Sequence, residues 1–182
     1  YILNGVKQFI SNGSIADVYV VLASTDKSRG ARGISAFILE KGMPGFGFGK
    51  EENKLGIRAS TTTELVFEDC QVPRENLMGK EGMGFIYTMR NFDRARPGVG
   101  SIGLGIAQGA YEVLLDFACS HNLLNNQYIQ RKVADLATEI EAARALIYAS
   151  ARTIDSGIKG VTKEASFAKL FPSDIAMKVC LE

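Results

Sequence analysis

Apolar positions in the first part of the chain recur with a period of two. In TTTELVFEDC (61–70), Leu65 and Phe67 fall on one face and Glu64, Val66 and Glu68 on the other, the alternation of a strand. IADVYVVLAS (15–24) is a β-branched run suited to a buried strand, and ISAFILE (34–40) is another strand. KGMPGFGFGK (41–50) joins a Pro-Gly turn to a short strand with alternating Phe46 and Phe48, whereas TDKSRGARG (25–33) reads as a charged loop. In YILNGVKQFI (1–10), Asn4-Gly5 sits between apolar-rich runs and predicts a hairpin turn. Short strands punctuated by turns predict a small antiparallel barrel or sandwich.

Near Pro73 the period changes, and after VPRENLMGKEGMG (72–84) the apolar spacing is helical. The third candidate helix is the clearest. Val133, Leu136, Ala137, Ile140, Ala143, Ile147, Ala151 and Ile154 form one stripe, with Ser156-Gly157 as its stop. Thr162 offers an N-cap oxygen to a last helix bearing Phe167, Leu170, Phe171 and Ile175, which Pro172 should bend or break. The pattern is α+β: a β domain over 1–75 and an antiparallel helical bundle over 76–182.

Within the helical half, Gly98, Gly100 and Gly103 spell G-x-G-x-x-G. A dinucleotide-binding turn needs a buried strand before it and an acidic residue about 20 positions later in a β context. The preceding MRNFDRARP is polar and no such acid follows, so packing is the better explanation. Gly98, Ser101, Gly105 and Gly109 lie three or four apart and predict a helix face that another backbone approaches closely.

Composition narrows the function. The chain has 182 residues, 46% hydrophobic and 23% charged, with a net charge of +1, which gives no strong field for nucleic acid or an anionic membrane. There is no run of eighteen apolar residues, so no membrane span is expected, and no leader-like segment is visible. Cys70, Cys119 and Cys180 lack metal or disulfide spacing and suit a reducing compartment, and the lone His121 cannot build a histidine-rich metal site. Both ends read as interior to a longer protein: the chain opens inside a strand and closes inside a helix.

Three groups carry candidate chemistry. Asp93 and Arg96 share a helix face, either as a solvated ion pair or as a clamp for a ligand with amide and phosphate groups. Phe9, Ile10 and Ser11, at the end of a hairpin strand, are either an ordinary strand end or one wall for a planar heteroaromatic ring. Asn125, Asn126 and Gln127 precede a helix and cap it or bind a polar cofactor tail. No nucleophile–base set or paired-acid set stands out.

YILNGVKQFISNG, RGISAFILEKGMPGFGFGKEENKLGIRASTTTELVFEDCQVPRENLMGKEGMGF and FDRARPGVGSIGLGIAQGAYE together resemble the acyl-CoA dehydrogenase family. The resemblance runs through nearly the whole chain, and its most specific element is KLGIRAS…LVFEDCQVPRENLMG…GMGF. It implies a middle β-barrel domain and most of a C-terminal four-helix bundle, without the family's N-terminal helical domain or the end of the bundle. It implies FAD-dependent α,β-desaturation of an acyl-CoA to the trans-2-enoyl-CoA, as in β-oxidation. It further implies an electron-transfer flavoprotein as acceptor, a homotetramer, and a bacterial cytoplasmic or mitochondrial-matrix location. By the same resemblance Phe9, Ile10 and Ser11 match the step packed on the isoalloxazine ring. Asp93 and Arg96 match the Asp-x-x-Arg that contacts the CoA moiety, and Asn126 and Gln127 match a polar pair reaching FAD.

Two departures stand out. The family's Arg-x-x-Phe-Gly loop for the FAD pyrophosphate has no counterpart in FACSHNLLNNQ, so residues are expected to be missing there. The bundle position used for the catalytic glutamate in some relatives is Ala95, so no residue of this chain is expected to be the base, which belongs to a segment further on. A same-fold acyl-CoA oxidase or flavin monooxygenase, or a non-catalytic interaction module, are the alternatives.

Overall fold

The computed structural model describes residues 1–182, which divide into two compact units, Tyr1–Thr88 and Met89–Glu182. The first is built from five strands: β1 (Ile2–Ser11), β2 (Val18–Ser24), β3 (Ile34–Glu40), β4 (Phe46–Glu51) and β5 (Thr62–Gln71). They form an antiparallel three-stranded sheet in the order β1-β5-β4 and an antiparallel β2-β3 hairpin. The alternation expected in β5 is present: Leu65 and Phe67 are buried with Tyr19, Val21, Phe37, Leu39 and Cys70 in one core. Within 25–33, Lys27–Gly33 form a 3-10 turn, capped by Asp26, rather than an open loop. Asp26 accepts from the Ser28 N–H (3.0 Å) and hydroxyl (2.6 Å), and these bonds lower its carboxyl pKa below the usual value. Residues 76–88 pack with the strands, with Met78 N–H donating to Ala36 C=O and Gly82 N–H to Ser35 Oγ.

Asn4-Gly5 is not a hairpin turn. It lies inside β1, where the pairing with β5 shifts between Leu3 and Gly5. The Asn4 side chain replaces part of the ladder: its Oδ1 accepts from Asp69 N–H (2.8 Å) and its Nδ2 donates to Asp69 Oδ1 (3.0 Å). The Asn-Gly signal therefore lies opposite a bulge whose extra residue is on β5, where Asp69 takes a φ of 48°.

The second unit holds three long helices. Helix α1 (Gly84–Ser120) begins in the first unit and runs through Pro97 without a break; α2 is Gln127–Asp155 and α3 is Thr162–Leu181. The α2 stripe is as expected, with Leu136, Ile140, Ala143 and Ile147 buried. Together with Leu104 and Ala107 of α1 and Ala168, Ile175, Ala176 and Val179 of α3 they make the bundle core. By length and composition alone α1 is apolar enough to cross a bilayer, yet Leu104 and Ala107 are spent on this core. Pro172 does not break α3; it is buried within it. Phe167 and Leu170 of that helix are exposed.

The close helix approach exists, on a different face from the one expected. Gly98, Gly105 and Gly109 have nothing within 4 Å of an added Cβ. At Gly100 such an atom would lie 1.9 Å from the Ala168 carbonyl oxygen, and at Gly103 it would lie 3.0 Å from that of Pro172. Gly100→Ala is therefore expected to destabilise the bundle by about 1–3 kcal/mol through overpacking. Gly98→Ala should stabilise it by up to about 1 kcal/mol through helix propensity. Thermal denaturation of the two variants side by side checks this, and equal shifts would refute the close-contact assignment.

Candidate functional site

The first candidate group sits on the second register shift of the sheet, a bulge in β1 itself. Lys7 pairs with Leu65 and Ile10 with Thr63, so β1 carries one extra residue there. Phe9 absorbs it with a φ of 58°. A left-handed backbone at an aromatic residue costs on the order of 1–3 kcal/mol, and such outliers gather at functional positions. The bulge resets the alternation: Phe9 is exposed, Ile10 leans on the β core, and Ser11 ends the strand exposed. Lys7, Ile10 and Ser11 then border a groove of about 370 Å³ with residues 18–22 of β2 and Leu65. Phe9 is not among its walls.

The groove is apolar on the β2 side, where Val18 and Val20 are exposed. Tyr19 contributes little polarity, since its hydroxyl is taken up by the carbonyls of Gly13 (2.7 Å) and Ala16 (2.5 Å). Burial, reinforced by the charge of Asp17, raises its phenol pKa, so Tyr19 is a neutral anchor and not an acid–base group. The polar groups left at the groove are the Ser11 hydroxyl and the Lys7 ammonium.

The second group lies in the helical unit. Arg96 Nη1 donates to Asp93 Oδ1 at 3.1 Å, one turn apart on α1, and both side chains are partly exposed. Asp93 Oδ2 accepts from the Thr162 hydroxyl at 2.8 Å. Both carboxylate oxygens are therefore engaged, whereas the guanidinium uses one of its donors within the protein. The pair is more than a solvated contact, because a third residue on another helix fixes its acid.

Thr162 was expected to cap α3. The cap position is instead Val161, without a side-chain bond, and the Thr162 oxygen reaches Asp93. Sequence reading does not find this link: the partners are 69 residues apart, and a threonine at a helix start has a sufficient local explanation. Lys7 was likewise missed, since its place on the groove depends on the bulge register.

The third group opens α2. Asn126, with φ −92° and ψ 119°, caps the helix: its Oδ1 accepts from Tyr128 N–H at 2.8 Å. Its Nδ2 stays free, and Gln127 is exposed at the first helical position. The link from α1 is short and continuous. His121 N–H bonds Phe117 C=O, Asn122 adopts a left-handed φ of 56°, and a 3-10 turn at Leu123–Asn125 leads into Asn126. Between Ser120 and Asn126 these residues form a closed turn that carries no lysine or arginine. His121 stacks on Phe117 with centroids 4.1 Å apart.

Comparison with known proteins follows the same division. The family described as "Acyl-CoA dehydrogenase, middle domain" matches residues 1–70, and "Acyl-CoA dehydrogenase, C-terminal domain" matches 82–182. An acyl-CoA dehydrogenase of Bacillus subtilis (strain 168) is 47% identical over 187 residues, covering 100% of this chain and 49% of that protein. The structure of butyryl-CoA dehydrogenase from Megasphaera elsdenii superimposes with a TM-score of 0.93 at 47% identity, covering 98% of this chain and 48% of that one. A structure described as "Electron transferring flavoprotein of Acidaminococcus fermentans: Towards a mechanism of flavin-based electron bifurcation" gives 0.94 at 52%, covering 98% and 48%. The chain spans about half the length of the curated relatives it matches.

The cap at Asn126 separates stability from ligand binding. Asn126→Ala is expected to cost about 1 kcal/mol and Asn126→Asp almost nothing, because aspartate caps equally well. Urea denaturation measures both; an Ala variant as stable as the parent would show that the cap bond contributes nothing.

Proposed function

The chain belongs to the acyl-CoA dehydrogenase family, and we propose that the protein it represents desaturates an acyl-CoA thioester to the trans-2-enoyl-CoA with FAD as the hydride acceptor. The observation that carries the reading is Asp93–Arg96, an acid held from two sides beside a guanidinium that keeps free donors at the surface. A CoA thioester presents phosphates and amide carbonyls, and an arginine fork matches both.

The donor set of the β unit fits a flavin ring: an apolar groove takes a flat heteroaromatic surface, and the Ser11 hydroxyl can bond a ring heteroatom at its rim. At the start of α2, the Asn126 Nδ2 and the Gln127 amide offer neutral donors. The α1–α2 link gives no cation for a pyrophosphate, which this chain must leave to other groups. When bound, FAD supplies the hydride acceptor. The residues of this chain bind and orient. Ile10 and Ser11 form one wall for the ring, and the strained backbone at Phe9 sets their direction. Arg96 anchors the thioester's CoA portion, and Asp93 holds Arg96 in place. The carboxylate that takes the α-proton lies outside these residues in this reading, consistent with Ala95 standing next to Arg96.

Electrons would pass to an electron-transfer flavoprotein, a reading supported by the Acidaminococcus fermentans structure. A homotetramer in the bacterial cytoplasm or the mitochondrial matrix completes the proposal.

The full-length protein is expected to purify yellow and to be bleached anaerobically by a short acyl-CoA. Arg96→Ala should raise KM for acyl-CoA about tenfold to a hundredfold, the value of a charge-assisted hydrogen bond, with FAD content unchanged. Spectrophotometric assay with an artificial acceptor measures this. A colourless protein that ignores acyl-CoA, or an unchanged KM, overturns the proposal, and rapid reoxidation of the reduced flavin by oxygen would make it an oxidase.

A further inference from the structure

The Thr162–Asp93 bond belongs to a longer contact between two parallel helices. Three pairs lie along it in nearly constant register: Asp93 with Thr162, Gly100 with Ala168, and Gly103 with Pro172. The two glycines allow α1 and α3 to come within backbone contact. Only at that separation does a side chain as short as threonine span the gap to the carboxylate, about two turns before Gly100 on α1. The Thr162 hydroxyl is not used by its own helix, because Val161 is the cap residue and makes no side-chain bond. The chain enters α3 through Gly157 and Gly160, both at positive φ, so the path of the entering loop sets where Thr162 begins the helix.

We propose that Thr162 is a positioning residue for the CoA-binding arginine, an inference that rests on the reading of Asp93 and Arg96 given above. A carboxylate on a helix surface can rotate about its χ angles and carry its ion-pair partner with it. With Oδ2 held by Thr162 at 2.8 Å, Asp93 presents Oδ1 in one direction, and Arg96 Nη1 takes it at 3.1 Å. The guanidinium plane is then fixed, and its remaining N–H groups are aimed before ligand arrives. Preorganisation of this kind lowers the entropy lost on binding and acts on affinity for the CoA moiety, not on the chemical step.

The test is a double-mutant cycle on the full-length holoenzyme with acyl-CoA as the probe. Thr162→Val removes the hydroxyl and keeps the shape. It is expected to raise KM about five- to tenfold, part of the value of a hydrogen bond to a charged group, while kcat and bound FAD stay within twofold. Thr162→Ser should restore KM to within twofold of the parent. In an Arg96→Ala background, Thr162→Val should add no further increase, because the residue acts through the guanidinium. Thr162→Ala, with higher helix propensity, gives the same reading should the valine variant fold poorly. The proposal is overturned by an unchanged KM in both Val and Ala variants, by failure of serine to rescue, or by the same increment with and without Arg96. A parent protein with no saturable response to acyl-CoA would instead overturn the functional reading beneath it, a result distinct from all three.

Discussion

The contact between α1 and α3 at Gly100 is the constraint on which the helical unit depends. An atom added there would lie 1.9 Å from a backbone oxygen, so no side chain is tolerated without moving a helix. The separation it permits brings Leu104 and Ala107 onto the same core as Ala168, Ile175 and Val179, and that core continues to the α2 stripe. Glycine costs about 1 kcal/mol of helix propensity at each such position. The cost is offset because close backbones bury apolar surface on both flanks, at roughly 25 cal/mol per Å². A second consequence is polar: the same separation places Thr162 within reach of Asp93.

The β unit shows a different use of local strain. Both irregularities in the β1–β5 pairing are bulges, the first with its extra residue on β5 and the second with its extra residue on β1, and each is stabilised from elsewhere. Asn4 covers the first with two side-chain bonds to Asp69, itself at a positive φ of 48°. The second, at Phe9, is held by the register on either side, Lys7–Leu65 and Ile10–Thr63, and by the lean of Ile10 on the core. Without that second bulge Ile10 and Ser11 would exchange faces, since a slip of one residue reverses every side chain beyond it. The groove they border is thus a product of the extra residue.

Legibility in the sequence followed the range of the determining interaction. ISAFILE became β3 residue for residue, Leu65 and Phe67 were buried as their alternation required, and the centre of the α2 stripe, Leu136, Ile140, Ala143 and Ile147, is buried while its ends are half-buried. In each case the signal is periodic and local. Asn4-Gly5 failed because its outcome is decided by Asp69, far along the chain, in a bulge on the opposite strand. The glycine face failed because a helical repeat shows which small residues line up but not which line meets another backbone. Of the site, Asp93–Arg96 was visible from spacing and Asn126 as a cap from its type. Their roles toward a ligand came from family resemblance, and the third partner of Asp93 was invisible because threonine at a helix start already has a reason to be there.

The prolines show how a local rule is overridden. Pro172 lacks the N–H that would bond the carbonyl of Ala168, four residues earlier, and such a position costs about 3 kcal/mol in an isolated helix. In this protein that carbonyl is the one facing Gly100 on α1. Its oxygen lacks its usual i+4 donor and meets a residue with only Cα hydrogens to offer, a geometry suited to weak C–H···O contact. A glycine on one helix and a proline on the other are each unfavourable alone. Together they are complementary, because the oxygen released by the proline needs a neighbour and the glycine is the residue small enough to be that neighbour. Helix breakers at matched positions of two parallel helices are therefore evidence of an intimate crossing, and here that crossing also fixes where a threonine meets the acid of the ligand-binding pair.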